Sequence, residues 1–461
     1  MAKSKQSKTR FESDSLGKVA ITKGKLWGAQ TERACKHFAV GAEIMPQEII
    51  CALAMIKKTA ALANAKLKKM PKYKANLITR ASNEIISGKL ANNFCLNIWQ
   101  SGSGTQTNMN VNEVIANRAI QLAGGIIGSK NPIHPNDDVN MAQSTNDVFP
   151  TAMHVATLIL AQKKLLPVLY SLRQELRCKE QQFSRINKVG RTHLQDAASL
   201  TLGQEFSGYC TQIDDAITNI KVALRKLFAV PLGGTAVGNG VNAPKNFGKI
   251  AVRYLAQLTK INFREAKNKF ALLAAHDALV NLSGTLKTLS VALIKIANDL
   301  RWMNSGPNCG LGELILPGNE PGSSIMPGKV NPTQCEMLTM ISAQVIGNDA
   351  TITFAGSQGN FELNVFKPVI IYNLLQSMHL LSDGCRSFIR YALRGLRANR
   401  ARIKRHLDSS LMMITLLTPT LGYDKSAEIV KLAIRENISW QQACIKRGID
   451  PQLVSSLVNV S

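Results

Sequence analysis

Aromatic residues make up only 5% of this 461-residue chain, against an ordinary apolar fraction of 45%. Leu, Ile, Ala and Met carry the apolar content instead. That balance disfavours a β-sandwich and suits helix-on-helix packing. No uninterrupted apolar run is long enough to cross a bilayer. The stretch from Ala152 to Leu160 is soon broken by Lys163, Lys164 and Pro167. The basic segment Met1 to Arg10 has no apolar core behind it, so it does not read as a secretory signal, and the cytoplasm is the default expectation. The nine cysteines are Cys35, Cys51, Cys95, Cys178, Cys210, Cys309, Cys335, Cys385 and Cys444, with no C-x-x-C pair. An odd, scattered set argues against a disulfide framework, a zinc knuckle or an iron–sulfur cluster, and fits a reducing compartment. Acidic residues are also short, 30 against 56 basic, for a net charge of +26. Such a surface attracts anions, whether nucleic acid, anionic lipid or small carboxylates. The run Arg394, Arg397, Arg400, Arg402, Lys404 and Arg405, spaced across a helix, reads first as a solvated face.

What is present is a set of long heptad-like segments. Leu202, Phe206, Tyr209, Ile213, Ile217, Ile220, Leu224 and Leu227 alternate spacings of three and four. Leu279, Leu282, Leu286, Leu289, Leu293, Ile296 and Leu300 repeat the rhythm. Each set lays one apolar stripe along a helix. A third rod runs from about Thr151 to Ile186, with Pro167 expected to kink it. Helices are also expected from Pro332 to about Ala355 and from Pro368 to about Leu396. Rods this long call for a bundle, with partners from other subunits. The expected boundaries are an N-terminal domain over 1–143, a central long-helix domain over 144–398 and a small C-terminal domain over 399–461.

Four polar segments interrupt the helical plan. The first, Gln100 to Asn108, has glycines that admit a ligand to the backbone and offers Ser103, Thr105 and Asn108 as donors, though such runs are common loops. In the second, Ser144, Thr145 and Asn146 can cap the following rod, and a helix N-terminus also attracts anions. Upstream of it, His134, Asn136, Asp137 and Asp138 cluster without the ligand spacing of a metal site. The third, Gly190 to Asp196, places Thr192 and His193 in a polar turn between two rods. A histidine there can move protons near neutrality, or be merely structural. The fourth, Gly322 to Pro332, holds Ser323, Ser324, Lys329 and Asn331 between glycines, as a mobile lid would. Pro332 fits the first turn of the next helix, and Glu336 lies one turn in.

GSSIMPGKVNP at this fourth segment resembles the signature of the fumarase/aspartase superfamily. GSGTQTNMNVNEVIANRA, HPNDDVN, QSTNDVFPTAMHVA, GRTHLQDA, LGGTAVG and GNFELNVFKP are similar to class II fumarase segments and fall in the same order. Gly328 and Gln106 resemble fumarases, where aspartases usually carry alanine at the first position and lack the glutamine. The resemblance implies a mainly all-α fold. Its central bundle has five long helices per subunit, assembles into a twenty-helix tetramer core, and is flanked by smaller terminal domains. It implies reversible addition of water to fumarate through an aci-carboxylate, in the tricarboxylic acid cycle, without metal or cofactor. Ser323 would be the base, and His193, oriented by Glu336, would serve the oxygen side. Lys329 and Asn331 would hold the developing charge. Ser103, Thr105, Asn108, Ser144, Thr145, Asn146, Thr192 and Ser324 would bind the substrate, with each site drawn from three subunits. His134, Asn136, Asp137 and Asp138 match a second anion site of the family. Neither membrane nor nucleic acid is implied as a partner.

The chain departs from the pattern in places. Asn308 stands where arginine is usual, Ala271 where glutamate is usual, Ala198-Ser199 for Thr-Pro, and Asn239 for threonine. None removes a proposed catalytic group. Two rivals remain: an aspartase using the same loop, and a basic scaffold that binds nucleic acid or an anionic surface.

Overall fold

The structure is a computed structural model describing residues 9–454. Most of the basic Met1–Arg10 segment therefore lies outside the described residues. The chain forms two compact units. One comprises Met1–Leu166, Thr218–Lys287 and Gln344–Leu380, and the other Pro167–Ile217, Thr288–Ala343 and Leu381–Ser461.

The fold is mainly α. An antiparallel hairpin, β1 (Thr9–Asp14) and β2 (Gly17–Thr22), precedes α1 (Ala29–His37), α2 (Gln47–Lys66), α3 (Lys72–Ile86) and α4 (Thr105–Leu122). Next come α5 (Thr145–Leu160), a π turn (Ala161–Leu165) and α6 (Leu166–Gln182). A second hairpin, β3 (Asn187–Thr192) and β4 (Gln195–Thr201), leads into α7 (Leu202–Leu224). Then follow α8 (Phe247–Thr259), α9 (Lys269–Ala274), α10 (Asp277–Asn304), α11 (Thr333–Gly356) and α12 (Lys367–Phe388). The chain closes with α13 (Arg400–Ser409), α14 (Thr418–Leu421), α15 (Tyr423–Glu436) and α16 (Trp440–Lys446).

Both stripes read from the sequence are buried, from Leu202 to Leu227 on and just beyond α7 and from Leu279 to Leu300 on α10. Each such side chain contributes about 2 kcal/mol of apolar burial. Polar bonds fix which helices lie side by side. In the first unit Ser283 of α10 donates to Asp349 of α11 at 2.7 Å. In the second, Tyr209 of α7 donates to Asp299 of α10 at 2.9 Å, and Ser387 of α12 to Gln334 of α11 at 2.8 Å. The C-terminal helices gather a cluster of their own around Met413, Ile414, Ile429 and Trp440.

The third rod differs from expectation at its start. It begins at Thr145, not near Thr151. Ser144 accepts from the Asn146 N–H while Asp147 accepts from the Ser144 N–H, which is a capping box. Its irregularity is the π turn just before Pro167. A proline lacks the N–H and crowds the preceding turn, and widening that turn relieves both. Because the helix continues through Lys163 and Lys164, Thr145–Gln182 reaches bilayer length, as does Asp277–Asn304, each containing an 18-residue window with a mean hydropathy of 1.3. Of those apolar windows 56% and 50% are buried inside the fold, where they form packing stripes.

His154 of α5 is buried, with Nδ1 at 3.2 Å and 2.9 Å from the carbonyls of Leu227 and Ala229. Two acceptors there require the proton on Nδ1. Burial pulls its pKa from 6.5 down to about 4. The unfolded chain then takes up a proton between those values that the fold refuses, so stability falls as pH drops through that window. The loss is about 3 kcal/mol at 1.36 kcal/mol per pH unit. Buried His276, whose pKa burial also depresses, adds to the same slope. Urea denaturation of a His154→Gln variant should show a flatter decline between pH 6.5 and 4. An unchanged decline would remove His154 as its source.

Candidate active site

In the second unit, the loop before α11 closes on itself. Gly322 donates to the Lys329 carbonyl at 2.8 Å, and Asn331 Nδ2 donates to the Gly322 carbonyl at 2.8 Å. Lys329 Nζ donates to Asn331 Oδ1 at 2.7 Å. Gly328 holds a left-handed φ of 79°, which favours glycine. Inside this ring Ser323 Oγ accepts from two backbone N–H groups, Ile325 at 3.2 Å and Met326 at 3.1 Å. Ser324 is exposed at the tip. Pro332 sits one place earlier than expected. The helix starts at Thr333, and the Pro332 carbonyl accepts its first bonds, from Cys335 and Glu336. Glu336, Lys329 and Asn331 share a cavity of about 920 Å³ with Asn298, Arg301 and Asn399.

His193 belongs to the same unit. The sequence reading gave it only a polar turn, but the turn is the tip of the β3–β4 hairpin. His193 and Leu194, the two residues between the strands, have φ of 57° and 60°. Both left-handed positions are the geometry of a tight hairpin turn, which Asn-Gly usually fills. Two side-chain-bearing residues there cost about 1 kcal/mol or more each. The strands escaped notice because their residues are mostly polar, with few of the β-branched and aromatic types that mark strands. The hairpin is anchored beneath its tip. Arg191 reaches the Glu313 carboxylate at 2.8 Å and 3.1 Å, and Lys188 reaches Glu313 at 3.4 Å and Glu205 at 3.0 Å. Thr192 and His193 themselves are exposed. Among the described residues, no hydrogen bond or ion pair within the chain joins His193 to Glu336.

The remaining polar residues lie in the first unit. Gly104, at φ 81°, opens α4, and a hydroxyl chain runs from Ser101 to Ser103 at 3.0 Å and on to Thr105 at 2.8 Å. Gln100 and Gln106 brace the loop. Gln100 accepts from the Thr107 N–H and hydroxyl at 3.0 Å and 2.9 Å, and Gln106 from the Ser101 N–H at 3.2 Å. Buried Asn108 donates to Thr145 Oγ1 at 3.0 Å, so the first and second polar segments meet. Asn146 reaches the Ala236 carbonyl at 2.8 Å. Beneath them Asp147 is fully buried and also accepts from the N–H groups of Gly233 and Thr235 at 2.8 Å and 3.0 Å.

Lys57 escaped the sequence reading. It is fully buried and donates to Asn140 at 2.8 Å and Gln143 at 3.1 Å, directly before Ser144. Burial pulls its pKa down to about 7, against the pull of Asp147. A lysine on the apolar face of α2 was the available signal.

The His134 group is largely satisfied internally. Its Nδ1 accepts from the N–H groups of Asn136 and Asp137 at 3.2 Å and 3.1 Å, which places the proton of the neutral ring on Nε2. Asp138 accepts from the His134 N–H at 2.8 Å and pairs with Lys74 at 2.9 Å. Among the described residues, no group of three or more His, Cys, Asp or Glu is gathered to hold a metal. The basic run is not one helical face. Arg394 precedes a short strand containing Arg397, and only Arg400 onward lies in α13. Within it Arg402 donates to the carbonyls of Gly310 and Leu311, at 2.8 Å and 3.1 Å, and Lys404 pairs with Asp408 at 3.1 Å.

Residues 17–347 match the family described as Lyase, and residues 413–461 match the fumarase C C-terminus. With the long-helix fold, this defines a mainly helical lyase. A class II fumarate hydratase of Thermosynechococcus vestitus is 58% identical over 440 residues, 95% of this chain and 94% of that protein. One of Methanosarcina acetivorans is 53% identical over 439 residues, 95% and 91% of the two chains. The crystal structure of the class II fumarase from Schistosoma mansoni is similar at a TM-score of 0.95 and 44% identity, covering 98% of each chain. The chain belongs to the class II fumarate hydratases, hydro-lyases that add water to fumarate.

Proposed function

We propose that Ser323 is the base that removes the proton from the carbon beside a malate carboxylate, or returns it in the opposite direction. The observation that carries this is the pair of backbone donors on Ser323 Oγ, from Ile325 and Met326. A serine is a useful base only as an alkoxide, and fixed donors stabilise that charge. Lys329 and Asn331, one loop turn away, meet the dianionic aci-carboxylate as it forms, so they bind the transition state better than the substrate. His193 protonates the departing hydroxyl, oriented by Glu336. Ser103, Thr105, Ser144, Thr145, Asn146, Thr192 and Ser324 bind the carboxylates and the water, and Asn108 positions Thr145.

His193 and Glu336 are unpaired with each other in one chain, so this reading takes the working protein as a homotetramer whose sites draw on three subunits. Exposed Val291, Met340 and Phe354 on α10 and α11 support packing against further copies. We place the domain boundaries at Ser144 and Asn399, each of which caps a helix start, and the enzyme in the cytoplasm, in the tricarboxylic acid cycle.

The test is an ultraviolet assay of fumarate on chelator-treated protein, with malate and then aspartate as substrate. Malate should yield fumarate at an undiminished rate and aspartate should yield none. Loss of activity with the chelator would overturn the metal-free mechanism. Preference for aspartate would overturn the assigned substrate.

A further inference from the structure

Cys35 and Cys95 lie far apart in sequence, yet their sulfurs are 3.1 Å apart. Cys35 is on α1. Cys95 is on the extended segment that bridges Ile44 to Asn97, with the Met45 N–H bonded to the Leu96 carbonyl at 3.0 Å and the Ile98 N–H to the Glu43 carbonyl at 2.8 Å. That segment runs directly into Gln100, which braces the Ser101–Asn108 loop. The other end of α1 is fixed as well. Glu113 of α4 accepts from the N–H groups of Gly28, Gln30 and Thr31. Both cysteines therefore sit on elements held to the loop that carries Ser103 and Thr105. Cys95 is exposed, while Cys35 is half-buried behind it.

We infer that Cys35 and Cys95 form a thiol–disulfide exchange site, with Cys95 the attacking and Cys35 the resolving sulfur, whose oxidant is a small disulfide such as oxidised glutathione. The Cys95 thiolate attacks one sulfur of the oxidant, forms a mixed disulfide and releases one thiolate. Cys35 then loses its proton to solvent, attacks the Cys95 sulfur and expels the second thiolate. Two protein thiols are oxidised and one small disulfide is reduced to two thiols. The order follows from access, and from charge. Either sulfur can donate to the other; with Cys95 as the thiolate, the Cys35 thiol donates to it and lowers the Cys95 pKa to about 7, helped by Lys25, while the same contact, burial and Glu32 raise that of Cys35. The bond would tie α1 covalently to the entry of the substrate loop.

The experiment treats the intact enzyme with oxidised glutathione and maps its peptides without reduction. The expected product is a Cys35–Cys95 cross-linked peptide, with the thiol count lower by two and restored by dithiothreitol. Cys35→Ser should trap glutathione on Cys95, and Cys95→Ser should leave Cys35 unmodified. Under limiting iodoacetamide at pH 7, Cys95 should react about tenfold faster than exposed Cys178 and Cys309. Glutathione remaining on Cys95 in the wild-type protein, or modification confined to Cys178 and Cys309, would overturn the proposal.

Discussion

Alanine at Ser323 is expected to lower kcat about 10³-fold, within the usual range for removing a positioned base. KM for malate should change little, because the role proposed for the side chain is at the carbon–hydrogen bond and the residues proposed to hold the carboxylates are unchanged. The loop should survive the change. Its closure depends on the Gly322–Lys329 and Asn331–Gly322 bonds, neither of which uses the serine hydroxyl. The N–H groups of Ile325 and Met326 lose an acceptor, but both residues are exposed and water replaces it. Thermal unfolding should therefore match the wild type, which separates a chemical loss from a structural one. The measurement is steady-state kinetics in both directions, paired with a melting curve. Retention of more than a tenth of the rate with an intact fold would move the base to another group. Serine is suited to this work only through those two backbone donors, which side-chain substitution elsewhere cannot remove.

The helical plan was legible because the bundle rests on a repeating apolar stripe. Positions three and four apart fall on one face, and every residue of the α7 and α10 stripes is buried as that spacing requires. The polar segments were legible as interruptions of the stripe. Less visible were features made by partners distant in sequence. Lys57 stands out only as a lysine on the apolar face of α2, and its partners, Asn140 and Gln143, are more than eighty residues away in sequence. Nor does the sequence reveal that the Gln100 and Gln106 side chains brace their own loop. The departures from the family pattern lie at local sites. Asn308 offers its carbonyl to Arg402 at 3.4 Å, Asn239 accepts from the Val241 N–H at 3.1 Å, and Ala271 donates its N–H to the helix cap Asn268 at 3.0 Å. Backbone groups or a short polar side chain make these contacts, so an arginine, threonine or glutamate side chain is not needed to keep the chain's course there.

Glu313→Gln is expected to destabilise the fold by about 3–5 kcal/mol, the usual cost of breaking a buried ion pair from one side. The side chains of Glu313 and Lys188 are 0% and 2% exposed, so water cannot take over from the lost carboxylate. The amide keeps one acceptor oxygen, so Arg191 would lose one of its two bonds and both cations would lose the charge they face, leaving Lys188 with Glu205 as its remaining ionic partner. By contrast, Lys287 is half exposed, and its buried partner Asp349 keeps the Ser283 hydroxyl, so Lys287→Ala should cost less. The larger loss falls beneath the hairpin that presents His193, where two residues are already held at unfavourable φ. Strain of that kind persists only while its surroundings enforce it. Once the anchor weakens, the turn can relax, and a displacement of about 1 Å at a reacting group costs about 10²-fold in rate. Melting curves and kinetics together separate the two consequences. If Glu313 only stabilises the fold, kcat per folded molecule stays at the wild-type value well below the melting temperature. If it also holds the hairpin in place, kcat stays depressed at temperatures where the variant is fully folded.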